Sequence, residues 1–199
     1  MDPDALRGMV ANAASGDEVA FARIVAAYHD DMARVSFVVC GDVQMAQDAV
    51  QAAWPKVWGK LGTIRDPARI RPWLVSVAAN EAKQLARSRN RRWVREVAID
   101  GDASRAAPGS MSTSAVSARA VPSAAVARSS ADPGERAGEL DLANALADLN
   151  ADDRILIALR YAAGLTSDEI GRAIGMTGGG VRARLTRLLK RLREELDDD

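Results

Sequence analysis

The chain has 199 residues, of which 48% are apolar and 4% aromatic, and its 27 basic side chains are matched by 27 acidic ones. This profile is typical of a soluble globular protein with one domain or two small helical ones. A single cysteine and a single histidine exclude an internal disulfide and a cysteine-based zinc cluster, and they argue against most enzymes, so we expect no metal and no cofactor.

The sequence shows no sign of a membrane or export segment. No run of about 18 apolar residues could span a bilayer, and the opening Met1-Asp2-Pro3-Asp4 is acidic where a signal peptide is basic. We therefore expect a cytoplasmic protein with no membrane contact of its own. The zero net charge also argues against nucleic acid as a partner, provided that the charges are evenly mixed along the chain.

Residues 1–97 are predicted to form several helices. Asp17 can cap a helix whose apolar residues recur at three- and four-residue steps until Gly41 ends it. Asp42 can cap a second helix, and Pro55 inside it should cause a kink or a break.

A third helix is predicted to begin near Asp66 or Arg71 and to run toward Trp93. The following residues, 98–138, are rich in Ala, Ser, Gly and Pro and lack apolar periodicity, which predicts a flexible linker. Since a loop of this length is unusual inside one compact domain, two domains are expected. No convincing two-residue alternation indicates a strand, so the fold class is all-α.

Residues 139–199 carry the clearest helix boundaries. Asn150 can start a helix that Gly164 ends, and Thr166 with Glu169 forms a capping box for the next one. A short helix, a three-residue turn and a longer final helix follow in the order of a helix-turn-helix.

Many of the basic side chains lie in two clusters that contain no acidic residue. Residues 83–95 and residues 182–193 each hold six basic side chains and no acidic one. A solvated helix face explains the first cluster as well as nucleic-acid binding does. The second begins in the first turn of its helix, where the helix dipole disfavours cations, so with the preceding turn it favours DNA. The glycines at 178–180 indicate either a frayed first turn or a close approach of the backbone to phosphate.

Motifs in both halves match one known family. The first half carries Asp48-Ala49-Val50-Gln51, Trp54, Trp58, Arg71-Pro72-Trp73-Leu74-Val75 and Ala78-Ala79-Asn80, and the second carries Leu159-Arg160-Tyr161, Gly164-Leu165-Thr166, Asp168-Glu169-Ile170, Gly175-Met176-Thr177 and Val181-Arg182-Ala183-Arg184-Leu185. With these motifs the chain resembles an RNA polymerase sigma factor of the extracytoplasmic-function (ECF) group of the sigma-70 family. The resemblance implies two small helical domains, a region 2 bundle over 1–97 and a region 4 helix-turn-helix over 139–199, joined by the linker at 98–138.

The resemblance also implies a function and partners. Such a protein is a non-enzymatic subunit that binds core RNA polymerase, directs it to promoter DNA and is sequestered by an anti-sigma factor. The residues expected to contact or support the polymerase clamp are Asp48, Gln51, Trp54 and Trp58.

DNA contacts are implied in both domains. In the first, Asn80 would hold a base flipped out of the minus-10 element while four cations neutralise phosphates. These cations are Lys83, Arg87, Arg91 and Arg92. In the second, Arg184 and Arg187 would contact bases of the minus-35 element, with Arg182, Lys190 and the backbone of Gly179 near phosphates.

Some positions depart from the family pattern. Family members usually carry more acid in the helix where this chain has Met45, Gln47 and Ala52. They carry an aliphatic residue at the position of Pro55 and commonly a hydroxyl residue at that of Gly180. These departures leave open an alternative, a sigma-like DNA-binding regulator that no longer supports initiation.

Overall fold

The computed structural model describes residues 2–103, 144–146 and 148–197, with side chains described over 2–92, 144–146, 148–194 and 196. These residues are almost entirely helical, and no strand occurs among them, which confirms the all-α prediction. The helices are α1 (Pro3–Ala14), α2 (Glu18–Cys40), α3 (Val43–Lys60), α4 (Ile70–Ala103), α5 (Ala151–Ile157), α6 (Ser167–Ile174) and α7 (Gly178–Asp197).

Short irregular turns connect some of these helices. Two 3₁₀ turns, Leu61–Thr63 and Pro67–Arg69, lie between α3 and α4, and Asp66 caps the second of them. A π-helical turn, Ala158–Ala162, continues α5. Gly164 follows with φ 68°, a left-handed conformation that stops the helix.

The predicted caps are present. The Asp17 carboxylate accepts hydrogen bonds from the N–H groups of Val19 and Ala20 at 2.9 and 3.0 Å, and α2 ends at Gly41 with φ 68°. Asp42 caps α3 in the same way. Each cap satisfies backbone groups that a helix end leaves unpaired, so these local signals suffice to fix the helix ends.

Of the kink or break predicted at Pro55, the break does not occur, since α3 continues through this residue to Lys60. Ala53 and Val57 on the same helix are fully buried, and this packing offsets the hydrogen bond that proline cannot donate. Gln51, whose carbonyl lies one turn earlier, is exposed, as is Pro55 itself, so water can bind the freed carbonyl.

One helix boundary differs from the sequence-based expectation, and one helix was not predicted. The backbone of α4 is helical to Ala103, beyond the boundary predicted at residue 97. The remainder of the predicted linker, 104–138, lies outside the described residues. Helix α1 was not predicted, although Asp2 caps it and Pro3 occupies its first turn.

One hydrophobic core extends through both halves of the described chain. In the first half α2, α3 and α4 pack together over fully buried Ile24, Met32 and Leu74. In the second half Leu156 and Ile170 are fully buried, and α5 with the π-helical turn packs against α2 and α4. The two domains are therefore in direct contact.

Cys40 lies in this core, and we expect its thiol to be unreactive in the folded chain. Its Sγ contacts the carbonyl of Ala82 at 3.6 Å, and burial raises the pKa of the thiol to about 11. Near pH 8 the thiolate fraction is then about 100-fold lower than for an ordinary cysteine, in addition to the steric protection. A colorimetric disulfide reagent should react slowly with the native chain and rapidly in urea. Equal rates in both would contradict this placement.

Candidate nucleic-acid and polymerase interfaces

The four residues expected at the polymerase clamp lie along α3. Asp48 and Gln51 are exposed, Trp54 is half-buried and Trp58 is 39% exposed. Their spacing of three, three and four residues aligns them along one side of the helix. This side combines aromatic surface with polar groups, a composition common at protein–protein contacts.

Two residues from α2 support this aromatic surface, and the sequence analysis missed both. The Phe21 ring meets Trp58 edge-on with a centroid distance of 4.6 Å, and it meets Trp54 at 5.7 Å. Trp54 Nε1 donates a hydrogen bond to His29 Nδ1 at 3.4 Å. The indoles are thereby held in place before any partner binds.

The basic cluster of α4 is partly neutralised by the second domain. Lys83 Nζ lies 3.0 Å from Oδ1 of Asp152, and Arg87 Nη2 donates to Oδ2 of the same carboxylate at 2.7 Å. Asn80 precedes them by one and two helical turns and is half-buried. Asp152 lies in the first turn of α5, so this ion-pair cluster joins the two domains.

The end of the described part of this cluster is open. Arg91 and Arg92 are exposed on α4, one turn beyond Arg87. Positions 80, 83, 87 and 91 recur at three- and four-residue steps, which aligns them along one helical face. A continuous basic face of this kind fits a nucleic-acid backbone.

Three of the four cations predicted to bind DNA from α7 lie on its open side, the side opposite the buried residues Val181, Leu185 and Leu188. Arg182, Arg187 and Lys190 are exposed, and the carboxylates near Arg182 and Lys190, Asp168 at 3.8 Å and Glu194 at 3.5 Å, are exposed as well. Ion pairs between exposed side chains are weak, so both cations can exchange these carboxylates for phosphates.

Arg184 has a different environment. Its Nε and Nη2 lie 2.7 Å from Oδ1 of Asp153, whose side chain is 8% exposed. Asn150 donates to the other carboxylate oxygen of Asp153 at 2.7 Å. Arg184 thus links α7 to the start of α5 rather than projecting from the open side of the helix, and the sequence analysis missed Asp153 as its partner.

The helix-turn-helix is closely packed where α6 meets α7. Thr166 and Glu169 form the predicted capping box, and Gly175 ends α6 with φ 75°. Thr177 caps α7 by accepting from the N–H of Gly180 at 3.1 Å. A Cβ added at Gly179 would meet Nη2 of Arg182 at 3.9 Å, an ordinary contact with the end of a flexible side chain, so a phosphate has room to approach this backbone.

Together these features define a class of protein. Two helical domains, one ending in a helix-turn-helix with a basic final helix and the other carrying a basic helix beside an aromatic surface, are typical of a DNA-binding transcription protein. No helix among the described residues is long and apolar enough to cross a membrane.

Comparison with known protein families identifies the family within this class. The family description named Sigma-70 region 2 matches residues 24–92, and the one named Sigma-70, region 4 matches residues 145–194, which together exceed half of the chain. The chain therefore belongs to the sigma-70 family of RNA polymerase sigma factors, in its ECF group.

Two relatives illustrate the family. "Probable RNA polymerase sigma factor RfaY" of Xanthomonas campestris is 28% identical over 185 residues, which are 93% of this chain and 42% of that protein. The ECF RNA polymerase sigma factor SigL of Mycobacterium tuberculosis is 28% identical over 195 residues, covering 92% of this chain and 95% of SigL. The chain thus spans less than half of the first relative and nearly all of the second.

Two solved structures share the fold. CnrH, in complex with the cytosolic domain of CnrY, superposes with a TM-score of 0.65 at 22% identity, covering 100% of this chain and 99% of CnrH. The sigma factor RpoE of Bartonella quintana, in complex with the anti-sigma factor NepR, superposes with a TM-score of 0.58 at 23% identity. The match covers 90% of this chain and 98% of RpoE.

Proposed function

We propose that this chain binds core RNA polymerase in the cytoplasm and directs it to promoters. The observation that carries the proposal is the pairing of an aromatic clamp surface on α3 with two separate basic helices, α4 and α7. Two matched regions in the family's order support the same function. The proposed domains remain 1–97 and 139–199, and the first residues of the proposed linker at 98–138 continue α4 as far as Ala103.

The clamp surface consists of Asp48, Gln51, Trp54 and Trp58. Polymerase binding would cover Trp58 and the exposed polar groups beside it. Rigid aromatic side chains commonly dominate binding energy because they bury large areas with little loss of side-chain entropy. The contacts of Phe21 with both indoles provide this rigidity.

The face of α4 is proposed to bind the minus-10 element. Lys83, Arg87, Arg91 and Arg92 neutralise phosphates, and Asn80 offers hydrogen bonds to a base held out of the stack. Unstacking a base costs a few kcal/mol, so a captured base needs these backbone contacts to persist.

The open side of α7 is proposed to bind the minus-35 element. Arg187 is the candidate for base reading, Arg182 and Lys190 for phosphates, and Gly179 for a backbone contact at the helix start. The resemblance also suggested Arg184 for base reading. In the proposed site this residue instead positions α7 through its contact with Asp153. A bidentate arginine–guanine pair contributes about 1–3 kcal/mol of discrimination.

An anti-sigma factor is the proposed regulatory partner. The sigma factor RpoE, which shares the fold, was solved in complex with the anti-sigma factor NepR, and CnrH, which also shares it, was solved in complex with the cytosolic domain of CnrY. Such a partner would control this chain by competing with polymerase for the two domains.

The polymerase contact can be tested with the variant Trp58→Ala. The purified chain should form a complex with sigma-free core polymerase and yield transcripts from promoter fragments, and Trp58→Ala should weaken the complex about tenfold or more because an aromatic anchor is lost. Complex formation is measured by titration of labelled chain.

Val19→Ala is the matched control, since Val19 is 65% exposed and lies beside α1. This control should bind as the unmodified chain does. DNA binding without any polymerase complex at low salt would contradict the proposal and support the sigma-like regulator instead.

A further inference from the structure

The second domain lies against the face of α4 assigned to minus-10 DNA. Asp152 directs one carboxylate oxygen at Lys83, 3.0 Å away, and the other at Arg87, 2.7 Å away. Two anionic oxygens shared between a lysine and an arginine reproduce the arrangement in which these cations would hold a phosphate.

The ion-pair cluster is charged at neutral pH. Partial burial raises the pKa of Asp152, but the hydrogen bond from Lys83 and the positive charges of Lys83 and Arg87 outweigh it, so the pKa lies below its ordinary value. The carboxylate is therefore ionised throughout the neutral range, and the contact would weaken only on acidification through that lowered pKa.

A second polar contact, made by Arg71, joins the two domains in addition to the contact at Asp152. Arg71, near the start of α4, donates through Nη1 to the carbonyl of Ala163 at 2.8 Å. Its Nε binds Asp31 on α2 at 2.6 Å, so the guanidinium is held from the side of the first domain. The contact at Ala163 is made at the end of the π-helical turn, three helical turns along the chain from Asp152.

Apolar packing accompanies these polar contacts. The π-helical turn and α5 pack against α2 and α4, and Leu156 and Leu159 are fully buried in the core shared by both domains. The interface thus combines two kinds of contact. Apolar burial does not fix the orientation of the domains, whereas the ion pairs and the hydrogen bond do.

We propose that the minus-10 face of α4 is an intramolecular docking surface that Asp152 occupies in the free chain as a phosphate mimic. This inference rests on the proposed function, because it takes Lys83 and Arg87 to be DNA contacts. The two cations cannot hold Asp152 and a phosphate at once, so DNA binding requires α5 to leave. Polymerase and DNA then stabilise the open arrangement, and the free chain binds DNA weakly.

The DNA consequence is tested with Asp152→Asn, which keeps the shape of the side chain and removes its charge. Its affinity for a short single-stranded oligonucleotide of mixed sequence should rise about fivefold, since the closed form no longer competes as strongly. Asp30→Asn, which removes the same charge from an exposed site on α2, should change affinity much less. Equal gains in both variants would overturn the phosphate-mimic assignment.

The docking itself is tested without DNA. By small-angle X-ray scattering, Asp152→Lys should increase the radius of gyration of the full chain through repulsion from Lys83 and Arg87. Adding Lys83→Glu and Arg87→Glu should restore the compact dimension by reversing both sides of the contact. An unchanged radius in Asp152→Lys, or no recovery in the reversed variant, would overturn the inference. Failure of every variant to bind DNA would instead count against the proposed function, because the scattering result does not depend on it.

Discussion

Replacing Arg184 by alanine is expected to lower the free energy of unfolding by about 3 kcal/mol. The substitution leaves the Asp153 carboxylate, with a side chain only 8% exposed, without its cation. Asn150 alone cannot compensate, because a buried anion without a countercharge is strongly disfavoured. The loss also frees α7 from the start of α5, so DNA binding falls together with stability.

Lys190→Ala is the matched control for Arg184→Ala. Lys190 lies on the same helix and pairs with Glu194, but both side chains are largely exposed at 77% and 62%. An exposed pair at this spacing contributes about 0.3–0.5 kcal/mol, so the unfolding midpoint in urea, followed by circular dichroism, should shift little. If Arg184→Ala shifted it no more than Lys190→Ala while DNA affinity fell, Arg184 would be a base-reading residue as the sequence alone suggested.

The difference between Arg184 and Arg187 shows what the sequence could and could not predict. Both lie in the same basic cluster, and Asp153, the partner that engages Arg184, is 31 residues away along the chain. Helical periodicity locates a residue on a face, but a side chain at the edge of that face turns toward whichever charge tertiary packing brings near. The sequence pattern around Arg184 therefore does not reveal that Asp153 is its partner.

Local signals were sufficient for most of the fold. Asp17, Gly41, Thr166 and Gly175 begin or end helices where predicted, since capping depends on residues within one turn. Pro55 does not break α3, because its effect depends on the burial of the rest of this helix, which helix propensity does not describe.

The contact between the domains was the least predictable part of the site. The sequence predicted Lys83 and Arg87 as part of a solvated helix face or as phosphate contacts, because no acidic residue lies within their cluster. Their carboxylate partner, Asp152, is 65 residues beyond Arg87 and follows a segment of low complexity. A count of charges by segment can find a basic face, but it does not reveal what covers that face in the folded chain.

Gly171→Ala is expected to destabilise the helix-turn-helix by about 3 kcal/mol, at the upper end for an added methyl in a packed site. A Cβ at Gly171 would lie 2.5 Å from the carbonyl oxygen of Met176 and 3.2 Å from the backbone nitrogen of Gly178. These are backbone atoms of the turn, so they cannot rotate away. The turn would have to open, which would also break the 2.8 Å hydrogen bond from Met176 N–H to the Gly171 carbonyl and tilt α7 relative to α6.

Gly8→Ala separates this steric effect from the general effect of placing alanine in a helix. Gly8 is an exposed residue of α1, and a Cβ added there would have no atom of a neighbouring residue within 4 Å, so alanine should stabilise the chain by about 0.5–1 kcal/mol. Urea unfolding should therefore shift in opposite directions for the two variants. A stabilising shift for both would mean that α6 and α7 pack less closely at the turn, and the basic face of α7 would then not be held at a fixed angle for the major groove.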